Sequence, residues 1–95
     1  SVIRRISVPS GFMENRPQVR IALVGHTDTI GSLENNIALS RARAQAVRSR
    51  IIEEFGIDAD RLEADGVGYL APIATNLTDE GRTLNRRVEA VLISG

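Results

Sequence analysis

Asp28, Asn36 and Arg43 put a carboxylate, an amide and a guanidinium close together in the chain. They fall where the apolar run Val19 to Val24 ends in Gly25-His26-Thr27 and a helical pattern begins. Groups of these three kinds at a strand–helix junction are what is needed to hold a small zwitterion.

Catalysis finds little support in the same stretch. His26 is the only histidine, and His26-Thr27-Asp28 does not form a catalytic dyad, because strand neighbours point to opposite faces. No nucleophile elbow, zinc-protease helix or phosphate-binding loop occurs. Gly66-x-Gly68 lacks the remainder of a dinucleotide fingerprint and opens no helix. With one histidine, scattered carboxylates and no cysteine, neither a metal site nor a cofactor is expected. His26 is read as structural, hydrogen-bonded at the strand end.

Composition narrows the rest. Ninety-five residues, 42% hydrophobic and 25% charged, fit one soluble globular domain with one modest core, spanning 1–95. A formal net charge of zero and 3% aromatic residues argue against nucleic acid and anionic membrane as partners. All twelve basic residues are arginine. Their even spread is read as genomic base composition rather than phosphate recognition. No apolar run approaches the roughly 20 residues needed to span a bilayer. No signal peptide is seen, so the chain reads as a cytosolic protein or an excised domain of an exported one.

Three strands and two helices must position the polar groups. Val19 to Val24 reads as a mostly buried strand, Arg61 to Val67 as a weaker alternating one, and Arg87 to Ile93 as a good final strand. Ser1 to Val8 is a candidate fourth strand, at an edge blunted by Arg4-Arg5. Leu33, Ile37, Ala44, Val47, Ile51 and Phe55 form one stripe of a long helix over Leu33 to Phe55. Ser32 serves as its N-cap and Gly56 as its stop. Thr78 caps a short helix opened by Asp79-Glu80. Asn36, Ser40 and Arg43 flank the long helix's stripe, at the edge of the helix–sheet contact. That row has two readings, a solvated border with Arg43 snorkelling or a binding edge.

The spacing Gly-His-Thr-Asp-x-x-Gly-Ser-x-x-x-Asn-x-x-Leu-Ser-x-x-Arg-Ala-x-x-Val, over Gly25 to Val47, resembles the OmpA-like C-terminal domain. The match continues through Gly56-Ile57, Asp60-Arg61-Leu62, Gly66-x-Gly68, Pro72, Asn76-x-Thr78, Glu80-Gly81-Arg82 and Asn85-Arg86-Arg87-Val88. It covers about three quarters of the chain.

The resemblance implies an α/β fold of α+β sandwich type, a mixed sheet of about four strands with helices on one face. It implies a periplasmic domain of an outer-membrane or cell-envelope protein that binds peptidoglycan non-covalently. The ligand would be the peptide stem, through the amino-acid head group of diaminopimelate. By position, Asp28 resembles the family's carboxylate and Arg43 its guanidinium. Asn36, Leu39 and Thr27 fall at pocket positions, and Arg86 is a further member. Asp28 would accept from the ammonium and Arg43 would grip the carboxylate, and without ligand the two should pair with each other or with neighbours. The family's first helix looks shortened or missing, with Phe12 to Pro17 as its tail, which would expose part of one sheet face.

Two other functions compete with this one. The fold could serve as an interaction or dimerisation module without cell-wall binding, or as a hydrolase acting through His26 and Asp28.

Overall fold

A computed structural model of the chain describes residues 11–95. Its elements run β1 (Arg20–His26), α1 (Leu33–Phe55), a 3-10 turn (Ala59–Arg61), β2 (Leu62–Gly66), α2 (Asp79–Asn85) and β3 (Arg87–Ser94). The sheet has the order β2-β1-β3, with β2 parallel and β3 antiparallel to β1. This is the expected mixed sheet, with three strands among the described residues. The candidate strand Ser1 to Val8 lies outside them. In place of a first-helix tail, residues 11–16 form hydrogen-bonded turns, with Asn15 N donating to Gly11 O at 3.0 Å and Arg16 N to Met13 O at 3.3 Å.

Local chemistry accounts for the helix boundaries. Ser32 has extended backbone angles, and its side chain accepts from Asn35 N–H, satisfying one orphan donor of the first turn. Gly56 closes α1 at φ 63°, a left-handed conformation open to glycine. Thr78 caps α2 by accepting from Gly81 N–H.

The packing of α1 departs from the expected stripe. Asn36, Ser40, Ala44 and Val47 are its buried residues, whereas Phe55 is 49% exposed. Ser40 therefore sits inside the helix–sheet contact and not at its edge, and Asn36 is buried against the loop between β1 and α1. Length explains the exposed end. A 23-residue helix extends about 35 Å and a seven-residue strand about 23 Å, so α1 outruns the strands it packs on; Ile51 and Ile52 still meet the core and Phe55 does not.

Glycine explains the buried front. Gly25 and Gly66 are register partners on β1 and β2. A Cβ on Gly25 would lie 2.0 Å from Ser40 O, and one on Gly66 would lie 2.2 Å from Arg41 N. The backbone of α1 therefore rests directly on two side-chain-free strand ends. Behind this contact, Ile21, Leu23, Ala44, Val47, Leu62 and Val88 form the core, joined by Met13, Val19 and Ile57.

Several arginines tie backbone segments together rather than facing solvent. Arg61 donates to the carbonyls of Val19, Met13 and Arg16, fastening the segment before β1. Arg48 joins the second half of α1 to Leu62 O and Ala59 O. At the far end of β3, Val91, Leu92 and Ile93 are 46%, 60% and 42% exposed.

The close contact predicts that Gly25→Ala and Gly66→Ala each destabilise the domain by about 1–3 kcal/mol or more through overpacking. Ala38→Ser, on the exposed face of α1, should stay within about 0.5 kcal/mol. Urea denaturation followed by circular dichroism would measure all three.

Candidate ligand-binding site

Beyond the carboxyl ends of the parallel pair β1 and β2 lies a position where open sheets commonly form ligand crevices. Here residues 27–31, the start of α1, residues 67–77 and the junction of α2 with β3 border that position, the candidate crevice. Backbone and side-chain bonds hold these pieces in register. Thr27 N–H donates to Gly68 O at 2.8 Å, and Val67 N–H to Gly25 O at 3.1 Å. Ser40 is fully buried; its hydroxyl donates to Ile37 O at 2.9 Å and accepts from Gly68 N–H at 3.0 Å. Asn36 Nδ2 donates to both Ile30 O and Ser32 O at 2.9 Å, closing the loop onto the helix start.

Asp28 lies at the centre, with its side chain 11% exposed. One carboxylate oxygen accepts from Ile30 N–H at 3.0 Å. The other meets Arg86 Nη1 at 2.6 Å. Burial by itself would raise the pKa of Asp28. The Ile30 N–H, the Arg86 guanidinium and the charge of Arg82 outweigh it and hold the carboxyl below its ordinary value. Asp28 is thus a buried, ionised carboxylate at neutral pH.

Of the residues singled out by sequence, the fold brings Asp28 together with Arg86 and with Thr27, whose hydroxyl donates to Asp28 O at 2.9 Å. Thr27 and Asn36 are buried and act on the backbone of the crevice. Leu39 is 43% exposed on α1. Arg43 is half-buried one turn further along. Arg43 forms no ion pair with Asp28; among the described residues it has no hydrogen-bonded or anionic partner. The pairing expected in the absence of ligand is therefore made with a neighbour, Arg86.

Three consecutive residues divide the work at the α2–β3 junction. Asn85 is fully buried and saturated. It accepts from Ile73 N–H and Ala74 N–H and donates to Ala74 O and Asn76 Oδ1, pinning the loop over the crevice. Arg86 points to Asp28. Arg87 is 2% exposed, paired with Glu89, and donates to Asn85 O and Ala71 O. Sequence reasoning assigned no role to Asn85 or Arg87. The Asn-Arg-Arg triplet was the available signal, but the loop that Asn85 holds lies nine to twelve positions earlier and is irregular in sequence.

His26 faces the same side of the sheet as Arg87, its register partner. The hydrogen bond expected of it is not made. Both ring nitrogens are buried without a hydrogen-bond partner among the described residues, and Nε2 lies 3.6 Å from Glu89 Oε2. Burial and then the Arg87 charge lower its pKa, against weaker opposing effects of Glu89 and the Ala71 carbonyl. The neutral imidazole is the folded form.

The model of the OmpA family matches residues 6–86. The chain is 44% identical over 79 residues to outer membrane porin F of Pseudomonas aeruginosa, a stretch covering 83% of this chain and 23% of that protein. It is 42% identical over 76 residues to peptidoglycan-binding protein ArfA of Mycobacterium bovis, covering 80% of this chain and 23% of ArfA. The chain thus spans less than a quarter of these relatives. Among solved structures, the peptidoglycan-associated lipoprotein of Burkholderia pseudomallei superposes with a TM-score of 0.79 at 33% identity, covering 86% of this chain and 69% of that one.

A pH dependence follows from His26, the only histidine. Its folded pKa is lowered, so below about 6.5 the unfolded chain binds the proton first and stability falls. The melting temperature should drop as pH is lowered from about 7.5 to 5.5. His26→Gln should flatten that slope, as read by differential scanning fluorimetry.

Proposed function

Because this chain belongs to the OmpA family, we propose that it is a periplasmic domain, one unit over 1–95, that binds peptidoglycan non-covalently and holds an envelope protein against the cell wall. Similarity to a peptidoglycan-binding protein, an outer-membrane porin and a peptidoglycan-associated lipoprotein supports the partner and the compartment. The ligand is the peptide stem, recognised through the amino-acid head group of a diaminopimelate-type residue. The reading is one of binding without catalysis.

The observation that carries the proposal is an ionised, buried carboxylate beyond the strand ends, with a half-buried guanidinium on α1 that has no anionic partner among the described residues. An ammonium on the ligand would satisfy Asp28, and the ligand's carboxylate would supply the anion Arg43 lacks. Partial burial strengthens both contacts by excluding water. Asn36 keeps the loop bearing Asp28 in place, Thr27 orders its backbone, and Leu39 offers apolar contact beside Arg43.

Modest affinity per site is sufficient. The cell wall is a repeating polymer and a membrane carries many copies of its proteins, so effective concentration is high once the first contact forms.

Sedimentation with purified sacculi tests the assignment. The wild-type chain should pellet with sacculi and be released by free diaminopimelate. Asp28→Ala and Arg43→Ala should stay in the supernatant, each losing about 2–5 kcal/mol because the opposite charge is left without its partner. Equal pelleting of all three folded proteins would refute the site.

A further inference from the structure

The carboxylate at the centre of the crevice is already engaged. Asp28 accepts from Ile30 N–H on one oxygen and meets Arg86 at 2.6 Å on the other. Arg86 is anchored on its far side by Thr83 Oγ1 at 2.9 Å. Its side chain is 36% exposed, against 11% for Asp28. The anion is thus fixed and desolvated, while the cation lies at the mouth on a long, rotatable stem.

An incoming ammonium has two ways to meet this pair. If Arg86 stays, the ammonium faces a carboxylate whose charge is neutralised and whose field is further offset by Arg82. If Arg86 leaves, Asp28 is freed, but a guanidinium must find another anion. A ligand with an ammonium alone supplies none. A ligand with ammonium and carboxylate together supplies one.

We infer that Arg86 is an exchangeable counter-ion. It holds Asp28 in the free protein and transfers to the ligand's carboxylate when the ligand's ammonium takes its place. The inference rests on the amino-acid head group proposed above and adds the basis of its selectivity. Asp28 and Arg86 each have a partner before and after the exchange with a zwitterion, but Arg86 has none after exchange with a simple amine. Arg86 therefore makes the site reject amines that lack an adjacent carboxylate.

The test compares meso-diaminopimelate with 1,5-diaminopentane, which keeps both amines and lacks both carboxylates. Titrations of the whole 95-residue chain would be followed at the Ile30 amide by NMR. The wild type should prefer diaminopimelate by about tenfold or more. Arg86→Gln should weaken diaminopimelate and tighten diaminopentane, collapsing the preference. Arg86→Lys, which keeps a cation, should retain most of it.

An unchanged preference in folded Arg86→Gln, or equal weakening of both probes, overturns the exchange while leaving the binding site standing. So does a folded Arg86→Lys that loses the preference as fully as the glutamine variant. Failure of the wild type to bind diaminopimelate at all overturns the exchange and the proposed ligand together.

Discussion

The contact on which the structure depends is the seating of α1, at Ser40, on Gly25 and Gly66. Two strand ends without side chains let a helix backbone come within van der Waals range of the sheet. That closeness buries Ser40, whose hydroxyl then bonds the loop after β2. It also sets the start of α1 where Asn36 can hold the loop after β1. Both loops that frame the crevice are therefore referenced to one helix turn. A Cβ at either glycine would push the helix outward and loosen both at once.

The site built on this seat keeps its charges compensated without ligand. A buried carboxylate is tolerable because a backbone N–H and a guanidinium face it. A neutral histidine lies on the strand immediately before it, and a buried arginine paired with a glutamate lies across the sheet. These groups are polar but mutually satisfied, except for the imidazole nitrogens. Such an arrangement holds the loops beyond the strand ends and their charges in place.

Elements whose signal is local were legible in the sequence. The limits of α1 follow from Ser32, Gly56 and a sustained helical period. The cap at Thr78 and a final strand over Arg87 to Ile93 were likewise visible. The burial of Asn36 and Ser40 was not, because hydropathy ranks both as surface residues; the facing glycines make room for Ser40, and the loop after β1 folds over Asn36. The exposure of Phe55 was hidden for the opposite reason: an apolar residue at the right period still protrudes when the sheet beneath the helix has ended. The arginines were read as compositional, yet Arg48, Arg61 and Arg87 bond carbonyls distant in the chain, a role that depends on the loops they reach.

By itself the sequence determined the kinds of groups available, their order, and the strand–turn–helix that presents Asp28 ahead of Asn36 and Arg43. Period, caps and residue chemistry act within a few positions and need no fold to be read. Tertiary structure alone decided which charges meet. Asp28 and Arg86 are fifty-eight positions apart and come to 2.6 Å because β3 runs antiparallel beside β1 and brings the α2–β3 junction to the end of the strand that carries Asp28. Partner choice among several arginines is a matter of distance in space, which the register of the sheet sets.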